Sequence, residues 1–179
     1  MDNTPQIILS SVRLLFRQHI MADLDAYCAM EMDPDVRRYV GGAPRSREDS
    51  ERRFMDGALK PVTDRLSMWA TVLKETGQYV GRCGVYPHFK DDGGVFEGEG
   101  SLGLYIARQY WGQGFATEAG RAFIDFGFNE LNLKRIVTMV QVENIASVHV
   151  LEKLGFELAS TEHGRRSFYH FVLDKPADL

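Results

Sequence analysis

Apolar and polar positions change their period along the chain, and each change predicts an element. VRLLFR, 12–17, predicts a first strand; residues 21–33 then place Leu24, Tyr27, Cys28 and Met32 at helical spacing until Asp33-Pro34 ends the run. Gly41-Gly42-Ala43-Pro44 predicts a loop, and Ser46 with Asp49 three residues on predicts a capping box for a second helix through about Ala58. Two β-rich runs, 69–73 and 79–85, flank Glu75-Thr76-Gly77-Gln78 as a hairpin, and DDGG at 91–94 turns the chain into a further run, SLGLYI, at 101–106.

After Gly114 the period becomes helical, with Ala116, Ala119, Phe123 and Phe126 on one face and Gly120 beside them, small enough for close packing. RIVTMVQV, 135–142, is a β-branched strand; Asn144 then stands at an N-cap before a helix that turns Val148, Leu151 and Leu154 inward and stops at Gly155. FELAS and SFYHFVL around EHGRR close the chain as a hairpin. The order SLGLYI, helix, RIVTMVQV predicts a right-handed crossover between parallel strands within an otherwise antiparallel sheet. The expected fold is therefore α/β (α+β): a mixed, mostly antiparallel central sheet with helices on both faces, in a single domain over 1–179.

Composition adds limits. With 179 residues, 44% of them apolar and 26% charged, the chain supports one core, and a net charge of −4 gives no basic footprint for nucleic acid. Cys28 and Cys83 lack CxxC spacing, so neither a disulfide framework nor a zinc site is expected, and no apolar run approaches a membrane span. The expectation is a cytoplasmic protein, monomer or homodimer, with no metal, no nucleic acid and no membrane partner. His88, Asp91 and Asp92 in HFKDDGG read as turn chemistry rather than ligands. His149 reads as a helix-surface residue, Trp69 as packing, and Arg165 and Arg166 as exposed turn cations.

RQYWGQGFATEAG, 108–120, spends two glycines where a helix begins. The first turn of a helix has unpaired N–H groups and a partial positive charge, so a loop that lets those amides converge can hold a phosphate. Gly112 suits a positive φ and Gly114 leaves its face open; Thr117 adds a hydroxyl, whereas Glu118 in the first turn competes with an anion. The stretch is neither GxGxxG, because 117 is Thr, nor a P-loop, because GK[ST] is missing. A plain strand-to-helix turn is the alternative.

The wider constellation is more specific. Gln109-Tyr110-Trp111-Gly112-Gln113-Gly114, followed by Phe115-Ala116-Thr117, resembles the Q/R-x-x-G-x-G/A coenzyme A signature of the GNAT superfamily of N-acetyltransferases, in particular the branch that acetylates ribosomal-protein N-termini. Asn144-Ile145-Ala146-Ser147 through Lys153-Leu154-Gly155-Phe156 resembles the family's next helix motif, and VRLLFR with DPDVRRYVGG and WATVLKETGQYVGRCGVY resemble its opening and central segments.

The resemblance implies acetyl-CoA as cosubstrate, with pantetheine between the splayed strands SLGLYI and RIVTMVQV. It pairs there with backbone groups of Leu104, Tyr105 and Ile106. Residues 109–117 hold the pyrophosphate, and Asn144 and Lys153 belong to the coenzyme side. It also implies direct attack of a primary amine, from a protein N-terminus or a small molecule, on the thioester. An alkylamine of pKa about 10.4 must first lose a proton, and the departing thiolate must gain one. Leu151 stands where a tyrosine acid is common and Ser101 where a glutamate is common. Ser147 is the remaining candidate near the thiolate, and Glu99, with Glu97 behind it, is the candidate base. A catalytically silent coenzyme-binding or interaction domain is the alternative, and a different phosphate ligand at the glycine turn is a third.

Overall fold

The computed structural model describes residues 5–62 and 65–177. Its strands are β1 (Ile7–Ser10), β2 (Leu14–Arg17), β3 (Ser67–Leu73), β4 (Tyr79–Phe89), β5 (Val95–Ile106), β6 (Arg135–Gln141), β7 (Glu157–Glu162) and β8 (Phe168–Asp174). They form one sheet in the order β1-β2-β3-β4-β5-β6-β8-β7. Every neighbouring pair is antiparallel except β5 and β6, as the crossover pattern predicted.

The helices are α1 (Leu24–Met32), α2 (Pro34–Arg37), α3 (Arg47–Arg53), α4 (Phe115–Asn129) and α5 (Ile145–Lys153). On one face of the sheet, Phe123 of α4 meets Phe16 of β2 edge to face with centroids 4.7 Å apart. Cys83, Val85 and Ile136 belong to the same buried cluster. On the other face, Tyr27 and Cys28 of α1 pack with Phe54 against Ala70, Val72 and Tyr79. The mixed sheet with helices on both faces is thus present, and both cysteines are buried free thiols. Among the described residues no helix is long and apolar enough to cross a membrane.

Several local expectations change. The first strand begins at Leu14 rather than at position 12, because Val12, 88% exposed, belongs to a turn that joins it to β1, a strand too short to show alternation. Pro34 opens α2 as well as ending α1, since its missing N–H costs nothing in a first turn and Asp33 Oδ1 accepts from Asp35 N at 2.8 Å. Met32 faces solvent while Glu31 is buried, because the Glu31 carboxylate has arginine partners on that side. The Ser46 cap is half a box: its hydroxyl accepts from Asp49 N at 3.1 Å, but the Asp49 carboxylate turns to Arg45, Arg52 and Arg53. His88 and Phe89 lie in β4, not in the following turn. Gly120 does face a close contact: a Cβ there would come within 2.5 Å of Leu154 Cδ1, so it seats α4 against the end of α5.

His19 is buried beneath α1, beside Tyr27, Phe54 and Tyr79. Burial lowers its pKa to about 4, against the pull of Asp23 and with help from Arg82 and Arg17. The unfolded chain takes up a proton near 6.5 that the folded chain refuses, so this contribution is complete above pH 6.5 and is lost progressively as pH falls towards 4. The unfolding free energy from denaturant titration should therefore be lower at pH 5 than at pH 7 by about 2 kcal/mol from this group, and His19→Gln should flatten that part of the slope.

Candidate active site

β5 and β6 pair over a short length, at Glu99↔Arg135, Gly100↔Ile136 and Ser101↔Val137. Beyond that level β5 stays on β4 as far as Ile106↔Gly81, and β6 stays on β8 as far as Gln141↔Phe168. The two parallel strands therefore diverge. Thr138 Oγ1 donates to the Leu102 carbonyl at 3.1 Å across the point of separation. Leu104, Tyr105 and Ile106 border the β5 side of the gap. The Ile106 carbonyl already accepts from the Trp111 indole N–H at 2.7 Å, which holds that ring over the end of the strand.

The chain leaves β5 through a short 3-10 turn, Arg108–Tyr110, and enters α4 by way of two left-handed residues, Gly112 at φ 73° and Gly114 at φ 81°. Any side chain is strained in that region. The space around the glycines is nevertheless open: no atom lies within 4 Å of a Cβ at Gly112, and Arg13 Nη2 lies 3.6 Å from one at Gly114. The loop thus presents the start of a fifteen-residue helix to an uncrowded surface. Tyr110 packs edge to face on Phe115, which is buried, and Gln113 Nε2 donates to the Gln109 carbonyl at 3.1 Å. Ala116 and Thr117 are half-buried in the first turn.

Arg13 is the residue that sequence reasoning missed here. Its Nε pairs with Glu118 at 2.6 Å, its Nη1 donates to the Gln113 carbonyl at 3.1 Å, and its guanidinium lies 4.3 Å from the Phe115 ring centroid. Ser11 Oγ and the Arg13 backbone N–H each donate to Glu118 at 2.7 Å. Burial works against the Glu118 carboxylate, but those three hydrogen bonds outweigh it and hold its pKa below the ordinary glutamate value. The first-turn carboxylate expected to compete with an anion is therefore neutralised by the β1–β2 turn.

On the β6 side, Asn144 caps α5, its Oδ1 accepting from Ser147 N at 3.3 Å. Ser147 is half-buried near that end of the helix, Leu151 is buried one turn on, and Lys153 is exposed in the last turn. On β5, Glu99 shares a face with Ser101, Gly103 and Tyr105, while Gly98 at φ 75° breaks the alternation before it and Glu97 is exposed. Glu99 Oε2 meets His88 Nδ1 at 2.8 Å, and the His88 ring stacks on Phe96 at 4.6 Å. This pairing of β4 with β5 brings together two residues that the sequence left apart. Tyr86, one strand repeat before His88, stands opposite Ser101 across the β4–β5 pair. His149 is exposed, and so are Arg165 and Arg166, the latter 3.5 Å from a Cβ placed at Gly42. Among the described residues no group of three His, Cys, Asp or Glu side chains is arranged to hold a metal.

A double-mutant cycle on Arg13→Met and Glu118→Gln should give a coupling of about 1 kcal/mol or less at neutral pH, since the arginine is half exposed. That coupling should persist down to the ordinary glutamate range and vanish only as pH falls through the lowered value of Glu118.

Comparison with known proteins places this geometry. Residues 13–157 match the acetyltransferase (GNAT) domain family. An uncharacterized N-acetyltransferase of Bacillus licheniformis is 32% identical over 153 residues, covering 83% of this chain and 82% of that protein. Among solved structures, a GNAT-family acetyltransferase from Bacillus anthracis superposes with a TM-score of 0.79 at 24% identity, over 94% of this chain and 98% of its own. Spermidine N-acetyltransferase from Vibrio cholerae, in complex with CoA and spermine, superposes with a TM-score of 0.73 at 18% identity, over 90% of this chain and 95% of its own. The chain with the splayed strands and the left-handed glycine turn belongs to the GNAT acetyltransferase family.

Proposed function

We propose that this protein transfers the acetyl group of acetyl-CoA to a primary amine by direct attack within a ternary complex, the whole chain acting as one catalytic domain. The observation that carries the reading is the gap between β5 and β6, which opens beside the turn at Gly112 and Gly114. Pantetheine fits there as an added strand against Leu104 and Tyr105. Backbone amides from Gln109 to Thr117 receive the pyrophosphate, and the exposed Lys153 adds positive charge on the coenzyme side. A neutralised Glu118 and the open space at both glycines support that fit.

In the reaction, the amine nitrogen bonds to the thioester carbon, the carbonyl oxygen takes the negative charge, and the carbon–sulfur bond then breaks with its electron pair on sulfur. Glu99 is the proton acceptor we assign on the amine side, acting with His88 because the two share a hydrogen bond and can pass a proton through it. Ser147 is assigned to the departing thiolate. Leu151, buried and without a proton, cannot take that role. Asn144 positions Ser147 through the cap and keeps its own side-chain N–H groups for the pantetheine or acyl end. The acceptor class inferred from the sequence motifs is a peptide N-terminus, of the ribosomal-protein type, or a small amine.

Thiol release from acetyl-CoA in the presence of a panel of peptides and small amines tests the assignment. Turnover is expected, and coenzyme binding without turnover across the panel would favour a silent binding domain. Gly114→Val forces a β-branched residue to φ 81° and should weaken coenzyme A binding at least about tenfold by calorimetry. An unchanged affinity removes the pyrophosphate assignment. Glu99→Gln should lower kcat by about 10²-fold and shift the pH profile of kcat/KM, whereas Ser147→Ala should lower kcat with KM for acetyl-CoA little changed.

A further inference from the structure

A cavity of about 610 Å³ opens on the α1 face of β3 and β4. Its size is that of a site for a small molecule or the first residues of a peptide. Tyr27, Met68 and Tyr86 supply apolar wall, and Arg45, Arg53 and Arg82 project charge into it. Two of its wall residues, Arg82 and Tyr86, stand on β4 opposite residues of β5. The Arg82 guanidinium lies 4.8 Å from the ring centroid of Tyr105, which stands on β5 beyond its last level of pairing with β6, and Tyr86 stands opposite Ser101, the residue at that last level.

The charges do not balance. Glu31 receives Arg37 at 3.2 Å, Arg45 at 2.9 Å and Arg82 at 2.7 Å, and Asp49 is shared by Arg45, Arg52 and Arg53. Of these, Arg45, Arg53 and Arg82 line the cavity against Glu31 and Asp56, which leaves one positive charge in excess on its wall among the described residues. Arg82 Nε, like Arg37 Nε in the same network, is shielded from solvent and has no hydrogen-bond partner among the described residues. A buried donor without a partner opposes folding, and a ligand acceptor that meets it removes that cost.

Building on the acetyltransferase reading, we propose that this cavity holds the acceptor, and that the acceptor amine carries a carboxylate bound by Arg53 and Arg82 with Arg45 behind them. A carboxylate is the partner whose two oxygens match guanidinium donors. The same field opposes a polyamine, which brings further positive charge next to Arg82. The carboxylate end lies among the arginines, and the amine end lies towards Ser101 and the gap.

The experiment compares acceptors matched in size and differing in charge: the dipeptide amides Ser-Glu and Ser-Gln, and spermidine. Thiol release by the full chain should give a kcat/KM for Ser-Glu amide about tenfold or more above that for Ser-Gln amide, with spermidine lowest. Arg53→Gln, at a half-exposed position where folding is not at stake, should shrink the Glu/Gln ratio severalfold. A second readout needs no turnover: N-acetylglutamate should raise the Tm of the wild type at low ionic strength more than N-acetylglutamine does, and less so in Arg53→Gln. Equal use of Ser-Gln amide or spermidine, or a ratio unchanged by Arg53→Gln, overturns the carboxylate assignment while leaving acetyl transfer in place. A retained N-acetylglutamate shift with no transfer to any amine overturns the acetyltransferase reading and leaves the anion site standing.

Discussion

The organisation of this protein depends on the early loss of hydrogen bonding between two parallel strands. β5 and β6 exchange contacts at three levels and then part, each held by its other neighbour. Strand edges with unsatisfied backbone groups are costly inside a protein and normally invite another strand. In the function proposed above, an extended amide-bearing ligand completes that edge and the helix start beside it receives the phosphate. Parallel pairing matters: the crossover through α4 sets a helix start at the mouth of the gap, which a hairpin connection would not do.

Two carboxylates organise the sides of this centre, and each does so through arginine. Glu118 ties the β1–β2 turn to the start of α4, so the loop that carries Gly112 and Gly114 is braced from outside the sheet. Glu31 ties α1, α2 and the loop after it to β4. The first arrangement is close to neutral and leaves the helix dipole free to act on an anion. The second keeps an excess of positive charge facing a cavity. The same pairing of residue types therefore serves as a brace in one place and as a source of field in the other, and the difference lies in how many arginines each carboxylate must satisfy.

The long periodic elements and the coenzyme signature were legible in the sequence. Phe123 and Phe126 declare the buried face of α4, Asn144 declares the cap of α5, and Gly112 and Gly114 declare a turn of positive φ, because each of these rests on interactions within a few residues. The pairing of His88 with Glu99 was not legible, although both residues were noticed, since it depends on which residue of β4 stands opposite which residue of β5. Glu31 was hidden for a related reason: a charged residue on a helix reads as solvated until three arginines from other segments are found around it.

By itself, then, the sequence determined the succession of the longer strands and helices, though not the short β1 and α2, together with the one parallel crossover and the position of the glycine turn, since these follow from local period and backbone freedom. Tertiary structure alone decided where β5 and β6 separate, that Arg13 spends its charge on Glu118, and that the arginines around Glu31 outnumber the acids they meet. Those outcomes depend on strand register and on residues more than a few positions apart meeting in a low-dielectric interior, where an unmatched charge has a large effect and no short stretch of sequence records its partners.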